Sequence, residues 1–242
     1  MDDSDAARVF EALDTTWPAA EVVTRHGWHL RRGAGGGKRV SAASRVAPDA
    51  PIAPAGAQMR AWGQPLLFML RGAEAMLDRD LATAGYAEVD PTLLMSAPLP
   101  FAVVEGKMHA IFADLPVARM AEVWAAGGIG PARLSVMARV TAPKSYLLVR
   151  QGDRITGLGF VACAGSVAML HAVEVPAEAR RQGAGRAVTL AAAEWARRQG
   201  AAQLALAVTR ANMPARALYD GLGFREVGHY HYRMIDPAAP AS

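Results

Sequence analysis

The sequence predicts an α+β fold with two domains, from its length, its apolar content and its alternation of helical and extended patterns. The chain has 242 residues, of which 52% are hydrophobic, and this apolar content is enough for packed cores. Because a domain usually has about 100–200 residues, the length fits one large domain or two small ones. The pattern of elements starts again after Asp114. We therefore predict domains over residues 1–114 and 115–236, followed by a frayed tail over residues 237–242.

In the first half, helical spacing and short apolar runs predict three helices and six strands. The helices are predicted over residues 6–13, 57–62 and 74–84. The strands are predicted over residues 24–32, 38–46, 66–70, 88–95, 101–105 and 109–112. Between the first two strands, the glycines of residues 33–37 would form the turn of a hairpin.

The second half predicts four helices and five strands. The helices are predicted over residues 117–126, 132–139, 184–199 and 213–221. The strands are predicted over residues 145–151, 154–164, 166–175, 203–208 and 224–235. Glycines mark the breaks: residues 127–131 separate the first two helices, and Gly200 ends the third.

The charge pattern argues against a nucleic-acid partner. The chain has 26 Lys and Arg residues against 22 Asp and Glu residues, a net charge of +4, and three of the cations are lysines. The arginines are spread along the chain and interleaved with acids, whereas nucleic-acid-binding proteins concentrate cations on one face. Local groups of arginines suit the phosphates of a small ligand, because the guanidinium fork matches phosphate oxygens.

The sequence predicts neither a metal site nor a membrane partner. Cys163 is the single cysteine, and no Cys and His cluster has the spacing of a zinc site. The acidic N-terminus lacks the basic and apolar pattern of a secretory signal. No apolar run approaches the roughly 20 residues that cross a bilayer. We expect a cytoplasmic protein.

The most informative segment is the turn that leads into the long predicted helix of the second half. A helix N-terminus presents unpaired N–H groups and about half a positive charge, which favours a phosphate group. Gly183 and Gly185 remove side chains where a phosphate must approach the backbone. Arg180, Arg181 and Arg186 add positive charge. The segment predicts a pyrophosphate site; the alternative is a helix start with a solvated arginine face.

A second glycine-rich segment, residues 33–38, does not fit a P-loop. Position 32 is arginine where that pattern needs glycine, and a predicted strand follows rather than a helix. We interpret this segment as a hairpin turn. The chain also lacks the Gly-x-Gly-x-x-Gly pattern of dinucleotide-binding folds.

The pattern Arg180-x-x-Gly183-x-Gly185 resembles the acyl-CoA signature of the GNAT superfamily of N-acyltransferases. The resemblance covers about residues 115–235. The pieces that come after the signature in the family's order are a strand at 204–208, Asn212, Ala217-Leu218-Tyr219 and Gly221-Leu222-Gly223-Phe224.

This resemblance implies a tandem protein with two GNAT-like domains. Each domain would be a mixed, mostly antiparallel sheet flanked by helices. The first half, with Gly27-Trp28-His29-Leu30-Arg31-Arg32, resembles the degenerate N-terminal domain of tandem members. Because it lacks an Arg-x-x-Gly-x-Gly pattern, no acyl-CoA site is expected there.

The resemblance also implies the reaction, a direct transfer of an acetyl group from acetyl-CoA to a primary amine in a ternary complex. Pantetheine would lie beside the main chain of Val173, Glu174 and Val175, in a gap before the next strand. Asn212 would contact the pantetheine arm or order its loop, and Tyr219 would protonate the CoA thiolate. The pyrophosphate would be bound by Arg180, Arg181, Gln182, Gly183, Ala184, Gly185 and Arg186.

His171 is the first candidate for the base that deprotonates the amine. The run Leu170-His171-Ala172 resembles arylalkylamine N-acetyltransferase, in which a histidine at the same distance before the turn has this role. An ordinary histidine pKa near 6.5 suits proton transfer around neutrality. Glu174 is the alternative base, although strict strand alternation points it to the opposite face from His171. Both His171 and Tyr219 have a structural interpretation as well, as packed residues of a strand and a helix.

Other functions stay open at this point. A non-catalytic acyl-CoA-binding or sensory module needs neither Tyr219 nor a base, and an acyltransferase with a longer acyl-CoA would share the same turn. The acceptor is expected to be a small-molecule amine, but amino acids, polyamines, aminoglycosides, protein N-termini and aromatic amines all fit the motif. The resemblance also suggests a homodimer.

Overall fold

The computed structural model describes residues 3–72, 74–100 and 108–235, which form seven α-helices and eleven β-strands. The helices are α1 (Asp3–Thr16), α2 (Ile52–Ala61), α3 (Ala75–Thr83), α4 (Ala118–Ala126), α5 (Pro131–Arg139), α6 (Ala184–Arg198) and α7 (Met213–Gly221). The strands are β1 (Glu21–Arg25), β2 (Trp28–Arg32), β3 (Ser44–Arg45), β4 (Leu67–Arg71), β5 (Ala87–Pro98), β6 (His109–Ala113), β7 (Lys144–Gln151), β8 (Arg154–Ala164), β9 (Val167–Glu174), β10 (Gln203–Thr209) and β11 (Arg225–Met234). The predicted α+β class is confirmed.

These elements pack in two compact units that interleave along the chain. Among the described residues, the first unit comprises residues 3–18, 94–100, 108–208 and 212–227. The second unit comprises residues 19–72, 74–93, 209–211 and 228–235. The domains over residues 1–114 and 115–236 stay a prediction. Helix α1, from the start of the chain, packs on β8 and β9 in the first unit.

Five neighbouring strands of the first unit follow the order β10-β9-β8-β7-β6, with β9 and β10 parallel and the other pairs antiparallel. Helix α6 lies on one face, where Gly157 and Gly159 leave room for Val188; a Cβ at either glycine would come within 2.8 Å of that side chain. Leu158 and Phe160, which alternate with these glycines along β8, point to the other face. There Phe160 packs against the rings of Trp17 and Tyr146.

Helix α6 is an amphipathic helix with clear end signals. It buries Val188, Ala192 and Ala196 against the sheet, and this spacing is that of one helix face. Its last turn carries Arg197 and Arg198, which suit the negative end of the helix dipole. The positive end of the α6 helix dipole therefore lies at Ala184, the first residue of the helix.

The second unit contains the three-stranded sheet β1-β2-β3 and an antiparallel pair of β4 with β11. Its core includes Trp28, Phe68 and Tyr86, whose rings pack edge to face. The side chain of Asp78 on α3 accepts two hydrogen bonds from Arg233 and lies 2.7 Å from His231 Nε2.

The sequence prediction is wrong for two segments of this unit. The predicted strand over 24–32 is two strands, since His26 and Gly27, both with positive φ angles, make a tight turn between β1 and β2. The predicted strand over 38–46 is a 3-10 turn at Lys38–Val40 followed by the two residues of β3. The predicted strand 101–105 and the tail 237–242 lie outside the described residues.

Candidate functional site

The turn into α6 leaves the N-terminus of this helix open. Arg181 and Gly183 have positive φ angles of 61° and 86°, which glycine adopts without strain. Gly183 immediately precedes the first turn of α6, whose first N–H groups have no acceptor within the helix. A Cβ at Gly183 would meet no atom within 4 Å. The space in front of the helix N-terminus is therefore open.

Gly185 has a different role, in packing. A Cβ at this position would lie 3.1 Å from Leu218 Cδ2 on α7, which is closer than an ordinary van der Waals contact. The missing side chain lets α7 approach the start of α6. Because Tyr219 is the next residue after Leu218, this approach brings the phenol close to the turn.

Strands β9 and β10 separate before they end. Their parallel register runs from Val167 opposite Gln203 to Leu170 opposite Leu206. Strand β9 then continues to Glu174, and β10 also continues beyond the last pair. The gap that the family resemblance implies lies between these two ends.

A β-bulge at Ala172 marks the start of the gap. Ala172 has a positive φ of 50°, and the register with β8 shifts there, so that Phe160 lies opposite His171 and Leu158 lies opposite Glu174. The bulge adds one residue to β9. Since Leu158 and Phe160 share a face, Glu174 and His171 share one too. The prediction of opposite faces is wrong, because it assumed a regular strand.

The end of α4 holds both the bulge and Glu174. The indole Nε1–H of Trp124, which is fully buried, donates a hydrogen bond of 2.9 Å to the carbonyl oxygen of Ala172. Gly127 comes directly after α4, and a Cβ there would overlap the carboxyl group of Glu174. Glycine is therefore required at 127 for the observed position of Glu174.

The end of β9 with the residue after it, the turn, and α7 with its N-cap surround a cavity of about 800 Å³ in the first unit. Eleven of the thirteen residues that the sequence assigns to the site line it. They are Val173, Glu174, Val175, Arg180, Arg181, Gly183, Ala184, Gly185, Arg186, Asn212 and Tyr219.

Four further lining residues were not predicted: Ala179, Pro214, Ala215 and Leu218. Helical spacing could have indicated Ala215, which lies one turn before Tyr219. Gln182 is not among the lining residues; its amide donates a 2.8 Å hydrogen bond to the carbonyl of Glu178 and braces the turn.

The cavity is positively charged beside the helix N-terminus. Arg180, Arg181 and Arg186 all line it. The side chain of Arg180 is held by a 3.1 Å hydrogen bond from its Nε to the carbonyl of Val175, and its guanidinium lies 3.8 Å from the Glu174 carboxylate. Three guanidinium groups and the open N–H groups of α6 together suit a pyrophosphate.

Tyr219 forms a buried wall of the cavity. It is 6% exposed, and its ring packs 5.6 Å from that of Phe224. Burial raises the pKa of the Tyr219 phenol to about 12. The phenol therefore keeps its proton at neutral pH and is available as a donor.

Asn212 caps α7. Its Oδ1 accepts a 3.2 Å hydrogen bond from the N–H of Ala215, the usual contact of an N-cap residue. This contact orders the loop before α7, as one of its two predicted roles requires. Its contact with a pantetheine arm stays a prediction.

His171 lies away from the cavity wall. Its Nε2 is 2.8 Å from Oγ1 of Thr16, whose hydroxyl donates to the carbonyl of Ala12. The Thr16 oxygen must therefore accept a hydrogen bond from the imidazole N–H. The ring is 4.9 Å from that of Trp17, and the residue is 4% exposed. The structure thus ties His171 to α1 through packing and a hydrogen bond.

Glu174 is the ionisable group of β9 that does line the cavity. Its side chain is 16% exposed. Burial raises the pKa of the carboxyl group, and the charge of Arg180 opposes this shift. A carboxylate with a raised pKa, next to the gap between two strands, is suited to accept a proton.

The described parts of the chain contain no group of three or more His, Cys, Asp or Glu side chains that could hold a metal ion. Within the same residues, no helix has the length and apolar character needed to span a membrane.

The chain matches the model of the acetyltransferase (GNAT) family over residues 121–224, which include the bulge, the turn and α7. This part of the chain therefore matches the GNAT acetyltransferase family. It is 26% identical over 246 residues to a protein of Bacillus subtilis (strain 168) named uncharacterized N-acetyltransferase YobR, and the match covers 95% of this chain and 98% of that protein. The GNAT resemblance is confirmed; the tandem arrangement with a degenerate first domain stays a prediction.

Solved structures share the fold over nearly the whole chain. A GCN5-related N-acetyltransferase from Kribbella flavida superposes with a TM-score of 0.72 at 19% identity and covers 97% of this chain and 96% of its own. A functionally unknown conserved protein from Staphylococcus epidermidis ATCC 12228 has a TM-score of 0.68 at 9% identity, with coverage of 92% and 96%. At these identities the likeness concerns the fold.

Proposed function

We propose that this protein transfers an acetyl group from acetyl-CoA to a primary amine, by direct attack in a ternary complex. The observation that carries the proposal is one continuous cavity that joins three features. These are the open N-terminus of α6, the end of β9 beyond its pairing with β10, and the side chain of Tyr219.

The lining of this cavity offers a partner for each part of acetyl-CoA. Its pyrophosphate would bind the N–H groups and guanidinium groups of residues 180–186. Its pantetheine would lie along the main chain of Val173 and Val175, whose β9–β10 pairing has ended. Its thioester would then lie near Tyr219.

The reaction needs a proton acceptor for the amine and a proton donor for the CoA sulfur. The amine arrives as an ammonium ion, since its pKa is near 10, and loses one proton to Glu174 or to water beside it. The nitrogen attacks the thioester carbon and the C–S bond breaks. Tyr219 donates its proton to the CoA sulfur and regains one from solvent, as the second amine proton leaves.

Glu174 is preferred to His171 as the base in this proposal. Glu174 lines the cavity, whereas His171 is held by Thr16 and Trp17 outside its wall. His171 stays a prediction as an alternative base. A homodimer and a cytoplasmic location likewise stay predictions from the sequence.

The test is a thermal shift titration with acetyl-CoA, CoA and a longer acyl-CoA on the wild type and on Gly183→Trp. A ligand at 100 times its Kd should stabilise the protein by about 2.7 kcal/mol. The indole would fill the space where the pyrophosphate binds. Gly200→Trp is the matched control, because Gly200 lies just beyond the other end of α6, has φ of 82° and also meets no atom within 4 Å of a Cβ.

We expect a saturable shift in the wild type and in Gly200→Trp, and none in Gly183→Trp. An equal shift in both variants, or no shift with any acyl-CoA, would contradict the proposal. A larger shift with the longer acyl-CoA would indicate a different acyl donor. Binding without thiol release for any amine would indicate a non-catalytic acyl-CoA-binding module.

A further inference from the structure

The first unit has a second cavity, which shares two lining residues with the cavity at the start of α6. Its volume is about 900 Å³, and its walls come from α4, the turn between β7 and β8, and the turn after β9. Glu174 and Arg180 line both cavities. Because Gly127 leaves room for its carboxyl group, Glu174 is in contact with both spaces.

The lining of this second cavity is unusually rich in charge. Half of its fourteen lining residues are acidic or basic, and none of the fourteen is aromatic. Besides Glu174 and Arg180, the charged residues are Arg119, Glu122, Asp153, Arg154 and Glu178.

These charges are arranged as pairs of opposite sign. Arg119 lies 2.6 Å from Glu122, and Arg154 lies 4.0 Å from Glu178. All four side chains are more than half exposed, and exposed ion pairs stabilise a protein little. A ligand that carries both charges can therefore replace one partner of each pair at small cost.

We propose that this cavity binds the acceptor, and that the acceptor is a hydrophilic amine that also carries a carboxylate, as an amino acid does. This inference rests on the proposed acetyl transfer. The ammonium group would lie at Glu174, at the border with the cofactor cavity, and the carboxylate would lie at Arg119 or Arg154.

The same lining disfavours the other acceptor classes. The lining has no aromatic ring on which an arylalkylamine could pack. Its apolar part would also displace water from charged side chains and offer them no hydrogen bond in return. A polyamine could pair with the four acidic groups of the lining, but it has no carboxylate to offer to the three guanidinium groups.

The first test compares amino acids with their decarboxylated counterparts, by thiol release from acetyl-CoA. The pairs are lysine and cadaverine, arginine and agmatine, histidine and histamine, and tyrosine and tyramine. At least one amino acid should be acetylated with a kcat/KM ten or more times that of its counterpart. Equal or faster turnover of the counterparts would overturn the proposal.

The second test removes the two guanidinium groups that line only the second cavity. The variant Arg119→Gln/Arg154→Gln should raise the KM for the amino acid about tenfold or more. The KM for acetyl-CoA and the kcat/KM for the decarboxylated amine should stay within twofold, whereas a purely structural defect would change all three. Arg197→Gln, an exposed arginine near the end of α6 that pairs with Glu194, is the control.

Failure of this inference is distinguishable from failure of the proposed function. The acetyl-CoA thermal shift is measured on the same preparations. A retained shift with no amino acid acetylated overturns the acceptor class alone. A wild type without any shift overturns the acetyl transfer, and the acceptor cavity with it.

Discussion

Two glycine-rich segments of this chain differ in the element that each one leads into. In the first unit, Gly183 has φ of 86° and leads directly into the fifteen residues of α6. In the second unit, Gly35 and Gly37 have φ angles of 78° and 99° and lead into the three-residue 3-10 turn Lys38–Val40. Both segments carry basic neighbours, and both line cavities.

The difference lies in where the N–H groups and cations point. The N–H of Gly33 donates to Gln64 Oε1, and the N–H of Gly36 donates to the carbonyl of Gly33. Lys38 lies 3.0 Å from an oxygen of Asp90. In the turn before α6, the helix adds an aligned row of peptide dipoles. A glycine-rich composition alone is therefore not enough to predict a phosphate site, and the helix that follows it is the distinguishing feature.

If the chemistry belongs to the first unit, the largest loss of activity should follow substitution of Glu174, its proposed base. Glu174→Gln should lower kcat/KM by about 10³-fold, within the range for loss of a general base. Burial raises the pKa of Glu174. The loss of wild-type activity on acidification should therefore begin at a higher pH than it would if the base were an exposed glutamate. The variant should lose this acidic limb, measured as kcat/KM against pH.

The control for this prediction is Glu11→Gln, an exposed glutamate of α1 in the same unit. It should keep both the rate and the acidic limb. An unchanged limb in Glu174→Gln would instead point to another base, with His171 as the first candidate.

Removal of the phenol should have the next largest effect. Tyr219→Phe should lower kcat by about 10²-fold with an unchanged acetyl-CoA thermal shift, since the ring remains and only the proton donor is lost. The raised pKa of about 12 predicts no basic limb from this group below about pH 11. Tyr146→Phe, a buried tyrosine outside the cavity lining, should stay within twofold; equal losses in both would contradict the assignment.

A smaller loss of activity is expected from a change at the contact between α4 and the β-bulge. Trp124→Phe removes the hydrogen bond to the Ala172 carbonyl, and an unsatisfied buried acceptor costs about 1–3 kcal/mol. We expect this loss of unfolding free energy in urea, and about a tenfold loss of kcat/KM because Glu174 shifts. Trp195→Phe on α6 is the matched variant. Equal rates in the two variants would show that the indole does not position the site.

The second unit should show an effect on stability rather than on chemistry. Hydrogen bonds from Arg233 lower the pKa of Asp78 to about 2. A lowered pKa adds stability above about pH 4, and this stability is lost as the pH falls toward 2. Asp78→Asn should cost about 1–3 kcal/mol at neutral pH and nothing near pH 2, measured by denaturant unfolding. A tenfold loss of kcat in the folded variant would contradict the assignment of the chemistry to the first unit alone.

Much of the first unit's fold was predictable from the sequence. Its helices and strands, from α4 to α7, follow hydrophobic spacing and glycine breaks closely. The turn at Gly183 was predictable because its residue types match the chemistry of a phosphate. In the second unit, residues 38–46 were mistaken for a strand, since apolar alternation there does not separate a strand from a turn.

The details that orient the site were not predictable. The bulge at Ala172 depends on a hydrogen bond from Trp124, 48 residues earlier in the chain, and no local pattern reports it. The contact of Gly127 with Glu174 is equally distant in sequence. The burial of His171 depends on α1, which sequence order assigns to the other half. Such long-range contacts decide which ionisable groups reach the cavity.

The most direct test of a single acyl-CoA site at the start of α6 is the stoichiometry and affinity of acetyl-CoA binding. It is measured by calorimetry on the wild type, Gly183→Trp and Gly35→Trp. Both glycines have left-handed backbone angles, so the two substitutions impose similar local strain. We predict one site per chain, weakened at least a hundredfold in Gly183→Trp and unchanged within threefold in Gly35→Trp. Two sites per chain, or loss of binding in Gly35→Trp alone, would contradict this assignment.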